Sequence, residues 1–215
     1  MSNPAPRPRD PARPYAPHDA FVAPAEPRCE IWRTLAGLAV AVVAGIALHQ
    51  LALAVIAGAV GPARMQAWMD ETTFFADTPA ATLWALLGFG FVAIGLALSL
   101  RAVHERAPVT IFGPPRRALA QFLSVAGAVG ALQLALLALV PSDLELMRND
   151  DMPMRLWLAL LPLSLAAILV QAGTEEAVFR GYLQQQLAAR FPGRLVWLAL
   201  PAVLFGLAHW SPGAA

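Results

Sequence analysis

The chain has 215 residues, a net charge of +1, and 58% hydrophobic against only 13% charged residues. Soluble domains carry roughly 25% charged residues, and a soluble chain of this length cannot bury so much apolar surface in one core. The composition therefore excludes an ordinary soluble domain and predicts an all-α fold, a polytopic transmembrane helical bundle. The charge balance argues against nucleic acid as a partner, and one cysteine, Cys29, rules out an intramolecular disulfide.

The first thirty residues differ in composition from the rest of the chain. Residues 1–30 are rich in proline and arginine and poor in large apolar side chains, which predicts a disordered cytoplasmic tail. No apolar core follows a short basic start, so the segment does not resemble a signal peptide. We expect the transmembrane helical domain to occupy residues 31–215.

Five apolar runs in this domain predict membrane spans, since crossing a bilayer takes about twenty apolar residues. They lie near residues 31–60, 80–100, 118–140, 156–173 and 195–210. Pro162 and Pro201 predict kinks in the last two. Gly127 and Gly130 in the third would permit close helix approach. Met65, Trp68 and Met69, with Phe74 and Phe75 after them, predict a short interfacial helix after the first span.

Arginine-rich and arginine-poor connections alternate along the chain. By the positive-inside rule this alternation fits five crossings with the amino terminus on the cytoplasmic side. We therefore predict an integral protein of a bacterial cytoplasmic membrane, with the lipid bilayer as its first partner.

The segment from Gln171 to Tyr182 carries the chemistry-bearing residues, two adjacent carboxylates and an arginine where an apolar run ends. Ionisable groups in a span indicate function by default, although a helix that has reached the interface is the simpler alternative. Glu176 and Arg180 are four residues apart and are predicted to pair. Glu175 lies about 100° away around the helix, so it is expected to lack an intrahelical partner.

Local sequence also predicts a break just before these acids. Gly173 permits an interruption, and Thr174 can cap a new helical segment. Glu175 shares its face with Gln171 and Phe179. In a poorly hydrated site, a carboxylate without a salt-bridge partner is suited to act as a general base. Glu175 is therefore the predicted base, positioned by Glu176 and Arg180.

The second element is Phe205-Gly-Leu-Ala-His209 in the fifth run. A lone histidine on an apolar helix is more often a hydrogen-bonded structural residue than a ligand, and we predict such an interhelical bond for His49. Nothing in the sequence distinguishes His18 or His104.

Taken together, Glu175-Glu176-x-x-x-Arg180 and Phe205-x-x-x-His209 resemble the CAAX-protease and bacteriocin-processing (CPBP, or Abi) family of intramembrane endopeptidases. That family includes the type II CAAX prenyl endopeptidases. Phe179 fits its common Glu-Glu-x-x-Phe-Arg-Gly form. The motifs cover roughly residues 174–210, and we place an incomplete protease-like region from about residue 118 onward.

The resemblance implies that Glu175 takes a proton from a water that attacks a peptide bond, and that His209 binds this water, a metal or the oxyanion. Zinc, with Glu175 and His209 among its ligands, and a metal-free mechanism both stay open. The substrate would be a hydrophobic or lipidated peptide or protein.

One departure from the family pattern is important. The family's downstream motif, a histidine four residues before Asn or Asp, does not occur in these 215 residues, so we expect a carboxy-terminally incomplete chain. The alternative is a non-catalytic membrane binding or immunity protein of the same fold. A transporter with the glutamates as its cation site is a third interpretation.

The protease interpretation requires Glu175 and His209 to meet. If the fifth run starts at the cytoplasmic side, His209 lies roughly 20 Å further along the helix axis. One solution is that the helix from Thr174 to Arg190 continues beyond the fourth run, so that Glu175 lies well inside the bilayer.

Overall fold

The computed structural model describes residues 16–71, 78–139 and 152–210. These residues are 90% helical and contain no strand, which confirms the predicted fold class. The α-helices are α1 (Ala16–Val22), α2 (Ile31–Val60), α3 (Pro62–Glu71), α4 (Pro79–Ala102), α5 (Pro115–Leu139), α6 (Met154–Glu176), α7 (Gln184–Arg190) and α8 (Arg194–Ala208). Two 3₁₀ segments, Ala23–Arg28 and Pro108–Phe112, and a π-helical segment, Ala177–Leu183, complete the set.

Four of the described helical stretches are long and apolar enough to cross a membrane, namely Ile31–Val60, Pro79–Ala102, Pro115–Leu136 and Met154–Arg190. Their outer surfaces carry exposed apolar side chains such as Val43, Val55 and Leu134, as lipid contact requires. The protein is thus an integral membrane protein. The predicted fifth span differs, because α8 has only 15 residues and at about 1.5 Å per residue falls short of a core of about 30 Å.

Small residues hold α2 and α4 together. A Cβ added at Gly95 would lie 2.2 Å from the Ala41 carbonyl oxygen, and one at Gly45 would lie 2.9 Å from the Val92 Cα. Such close backbone approach is how helices associate without a hydrophobic driving force. Gly127 and Gly130 of α5 were expected to do the same, but nothing lies within 4 Å of either Cβ position. The α5 glycines therefore mark no helix contact within the described residues.

The amino-terminal segment corrects the prediction of a disordered tail. Residues 16–28 form α1 and a 3₁₀ segment, while residues 1–15 lie outside the described part. Val22, Ala25 and Cys29 are buried in one cluster with Leu187 and Trp197 of the carboxy-terminal helices. The segment contains few apolar residues, but they order it because they pack against apolar side chains of the carboxy-terminal helices.

The short helix predicted after the first span is α3, and the Trp68 ring meets the Trp84 ring edge-on at 5.8 Å. Phe74 and Phe75, also assigned to it, lie outside the described residues.

The predicted break at Gly173 and Thr174 is wrong. The Thr174 hydroxyl donates to the Val170 carbonyl at 2.7 Å inside the uninterrupted α6, a bond that threonine makes within helices. In lipid a helix must satisfy its own backbone groups, which favours continuity over a break. Helix α6, the π segment and α7 form one stretch from Met154 to Arg190, so the predicted continuation to Arg190 is confirmed.

Candidate functional site

The site is built on an antiparallel helical hairpin. Helix α7 ends at Arg190, α8 begins at Arg194, and residues 191–193 form the turn. Glu175 precedes Arg190 by fifteen positions (190 − 175), and His209 follows Arg194 by fifteen (209 − 194). Two helices that run back along each other bring equidistant residues side by side. The separation expected from simple hydropathy therefore disappears, because α8 returns along the helix that carries Glu175.

Glu175 and His209 come together as predicted. The His209 Nε2 atom lies 3.7 Å from Glu175 Oε1, and the two side chains are 49% and 17% exposed, respectively. The His209 Nδ1 atom lies 2.9 Å from the Phe205 carbonyl oxygen. Since a carbonyl only accepts, Nδ1 carries the hydrogen, and Nε2 of the neutral ring is left with a lone pair beside the carboxylate. Both groups are close enough to contact one water.

Glu175 has a partner that the sequence interpretation excluded. The Gln171 side-chain amide donates to Glu175 Oε1 at 3.3 Å, one turn earlier on the same face. A neutral amide orients the carboxylate without neutralising its charge. The expectation of no intrahelical partner was wrong because it considered only charged neighbours.

Two aromatic rings restrict the orientation of the His209 imidazole. The Phe205 ring packs on the His209 ring with centroids 4.2 Å apart and meets the Phe179 ring edge-on at 5.2 Å. The Arg180 Cζ atom lies 5.5 Å from the Phe205 centroid, within cation–π range. Glu176 and Arg180 pair as predicted, and both are more than half exposed. A cavity of about 120 Å³ continues from the two phenyl rings between α7 and α8.

The described residues do not fit a zinc site. Catalytic zinc takes three protein ligands and a water. Glu175 and His209 supply two, and among the described residues no three His, Cys, Asp or Glu side chains lie close enough to hold a metal ion.

Sequence reasoning missed a buried polar chain beside the site. Tyr182 donates its hydroxyl to the Thr34 carbonyl at 2.9 Å and lies 2.8 Å from His104 Nε2. His104 Nδ1 lies 2.9 Å from the Gln186 side-chain nitrogen. Because the tyrosine proton is used on Thr34, His104 Nε2–H donates to Tyr182, and Nδ1 accepts from Gln186. We name this hydrogen-bonded series, Gln186–His104–Tyr182–Thr34, the polar chain.

Burial lowers the pKa of His104 to about 4, and the nearby Arg106 and Arg33 act in the same direction. The Arg28 carbonyl lies 3.3 Å from Nδ1 and opposes this effect, since only a protonated Nδ1 could donate to it. His104 is 4% exposed, so the expectation that nothing distinguishes it was wrong. The sequence did hold one signal, the three consecutive glutamines 184–186, because polar residues in a span face the interior of a bundle.

Gln185 extends the contacts of this region. Its side-chain nitrogen donates to the Phe21 carbonyl at 2.7 Å and to the Thr110 carbonyl at 2.9 Å, and its oxygen accepts from Arg106. The motif-bearing helix is thereby tied to the amino-terminal segment and to the connection after α4.

The other two histidines have structural surroundings. His49 accepts a hydrogen bond from Trp84 Nε1 at 3.0 Å between α2 and α4, as predicted. The His18 ring stacks on Trp197 at 4.5 Å, and burial lowers the pKa of His18. His18 thus joins α1 to α8, a contact that nothing in the sequence indicated.

Comparison with known proteins gives one family. A family model described as type II CAAX prenyl endopeptidase Rce1-like matches residues 157–215, a stretch that contains both motifs. Neither the curated proteins nor the solved structures include a significant match.

Proposed function

We propose that Glu175 and His209 form the hydrolytic centre of an intramembrane endopeptidase, since residues 157–215 match the family model described as type II CAAX prenyl endopeptidase Rce1-like. The observation that carries the proposal is the 3.7 Å approach of the His209 Nε2 atom to Glu175 Oε1. The two residues come from motifs that lie 34 positions apart (209 − 175).

The proposed reaction starts with a water held by both side chains. The Glu175 carboxylate takes a proton from this water while its oxygen forms a bond to the scissile carbonyl carbon. His209 Nε2 accepts the water's second hydrogen and so aligns it, with the ring held by Phe205. Glu175 then returns its proton to the leaving nitrogen as the carbon–nitrogen bond breaks. The products are a carboxylic acid and an amine.

The substrate class proposed is a hydrophobic or lipidated peptide, because Glu175 lies within the apolar stretch Met154–Arg190 and His209 follows the apolar helix α8. Zinc per mole of the purified chain, compared between the wild type and His209→Ala, would detect a metal that the described residues hold only in part.

The first test is Glu175→Gln in the full chain reconstituted in lipid nanodiscs. Removing a general base is expected to lower the hydrolysis rate by about 10²–10⁴-fold. The probes are two quenched fluorescent peptides of the same sequence, one farnesylated at a carboxy-terminal CAAX cysteine and one unmodified. Glu176→Gln is the matched control, since it removes the neighbouring carboxylate and is expected to retain more activity.

A second candidate is a non-catalytic membrane protein that binds such a peptide. It is favoured by the fact that the described residues bring together only two groups able to act on a peptide bond, Glu175 and His209. In that case the wild type binds the peptides without cleaving them, and Glu175→Gln leaves the measured affinity within a factor of about two.

A further inference from the structure

Tyr182 and Glu175 face different parts of the molecule despite their spacing. They are seven residues apart, and in an α-helix seven residues return to within about 20° of the same direction. Glu175 lies against His209 of α8, whereas the fully buried Tyr182 reaches Thr34 of α2. The segment between Glu175 and Tyr182 therefore changes the direction in which the helix presents its side chains.

The π segment supplies that rotation. Its bonding is i→i+5, and the Gln184 backbone N–H donates to the Phe179 carbonyl accordingly. One extra residue in a helical turn turns all following side chains by about 100° relative to an uninterrupted α-helix. The insertion therefore directs Glu175 and Phe179 toward α8. It directs Tyr182 and Gln186 toward His104, with which both form hydrogen bonds.

The fold keeps a space for the Tyr182 hydroxyl. A Cβ at Gly37 of α2 would lie 2.2 Å from that oxygen, 2.7 Å from His104 Nε2 and 2.9 Å from Ser99 Oγ. Ser99 also donates to the Gly37 carbonyl at 2.7 Å. Only glycine at position 37 allows the tyrosine and the imidazole to meet there.

We propose that Tyr182 and His104 are positioning residues that anchor the π segment and thereby hold Glu175 turned toward His209. The two groups do not touch the reacting atoms; they act through the helix. π turns are rare and occur mostly as short insertions within α-helices, so we expect this one to depend on its tertiary contacts. With the anchor lost, the segment can relax toward α-helical winding, which would rotate Glu175 relative to the buried face. The role in catalysis rests on the proposed function, but the geometry can be tested without any substrate.

The test measures the approach of positions 175 and 209 directly. Glu175→Cys and His209→Cys are combined in a Cys29→Ala background, and the full chain in nanodiscs is treated with a short bis-methanethiosulfonate cross-linker. Linked tryptic peptides are quantified by mass spectrometry after denaturation. His49→Cys with Trp84→Cys, a pair between α2 and α4, is the matched control for an intact bundle.

Tyr182→Phe removes only the hydroxyl, and with it the hydrogen bond to the Thr34 carbonyl and the acceptor of the His104 Nε2–H. We expect the 175–209 linkage rate to fall about tenfold, while the 49–84 linkage is unchanged. Gly37→Ala is expected to lower the 175–209 linkage further, because its Cβ displaces the hydroxyl. Adding Tyr182→Phe to Gly37→Ala should then restore part of the loss, since the shortest clash is gone.

Two results would overturn the proposal. One is a 175–209 linkage that Tyr182→Phe leaves at the parent rate. The other is an equal fall for both cysteine pairs, which would make the tyrosine a support of the whole bundle. A chain that retains the linkage pattern but hydrolyses neither peptide would instead count against the proposed function alone.

Discussion

The histidines of this chain differ in their burial and in the groups that surround them. His209 lies in the Phe205-x-x-x-His209 motif and is half exposed beside a carboxylate. His104 lies in unremarkable local sequence, yet it is enclosed by α2, the π segment and the amino-terminal segment. His104 is held neutral because its Nδ1 accepts from Gln186 and because a charged ring there would lose its hydration. A single sequence does not reveal which segments converge on a loop residue.

The neutral His104 makes stability depend on pH. Its pKa falls from 6.5 to about 4 on folding, so the unfolded chain binds more protons between these values. The stabilisation is therefore complete above pH 6.5 and is lost as the pH falls toward 4. The loss is at most about 3 kcal/mol, at about 1.36 kcal/mol per pKa unit.

Melting temperatures in detergent, followed by tryptophan fluorescence, should fall between neutral pH and about pH 4.5. The fall should be smaller for His104→Gln than for the wild type, and His49→Gln serves as the control outside the polar chain. Equal pH dependence in the wild type and His104→Gln would contradict the assignment.

The motif-bearing helix illustrates how element boundaries depend on the surroundings. Gly173 and Thr174 predicted a break, but the helix instead continues and accommodates an extra residue in the π segment that follows. Neither hydropathy nor helix propensity predicts this insertion, because the stabilisation comes from hydrogen bonds of Tyr182 and Gln185 to other elements. The amino-terminal segment is ordered for the same reason.

Gln185→Ala tests this anchoring at the level of the element. It removes the hydrogen bonds to the Phe21 and Thr110 carbonyls and the one from Arg106, so we expect a loss of about 2–4 kcal/mol in the free energy of unfolding. Gln184→Ala, its half-buried neighbour, should cost less than about 1 kcal/mol. Unfolding in graded sodium dodecyl sulfate measures both, and similar losses for the two variants would argue against the anchor.

At the scale of the whole molecule, the site depends on a register between two helices. Fifteen residues on each side of the turn bring Glu175 to His209, and the ring contact of Phe179 with Phe205 follows the same register. The cytoplasmic position of the amino terminus stays a prediction from the charge alternation, which was fitted to five crossings. Among the described residues, four helical stretches are long enough to cross a membrane.

A single inserted alanine between Ala199 and Leu200 should disrupt this register. It would turn His209 by about 100° and move it about 1.5 Å along the axis, and misplacement of that size can cost about 100-fold in hydrolysis rate. A glycine inserted between Pro192 and Gly193 lengthens only the turn and should retain more activity, since α8 can keep its packing on α7. Equal rates for the two insertions, measured on the fluorescent peptides, would refute the register.

The sequence by itself determined the all-helical membrane fold, four of the five predicted spans and the approach of Glu175 and His209. These follow from local properties. One is the length of the apolar runs, and the other is the free-energy cost of ionisable side chains in such runs, which makes Glu175, Arg180 and His209 candidates for function. The pairing of Glu176 with Arg180 likewise needs only helical periodicity.

Only the tertiary structure decided the π segment, the order of residues 16–28, the partner of Glu175 and the burial of His104. Each depends on groups far apart in sequence, such as Tyr182 with Thr34 and Gln185 with Phe21. Buried polar groups form hydrogen bonds with whichever groups the fold brings near them. Tertiary packing decides which groups these are, and sequence periodicity does not predict it.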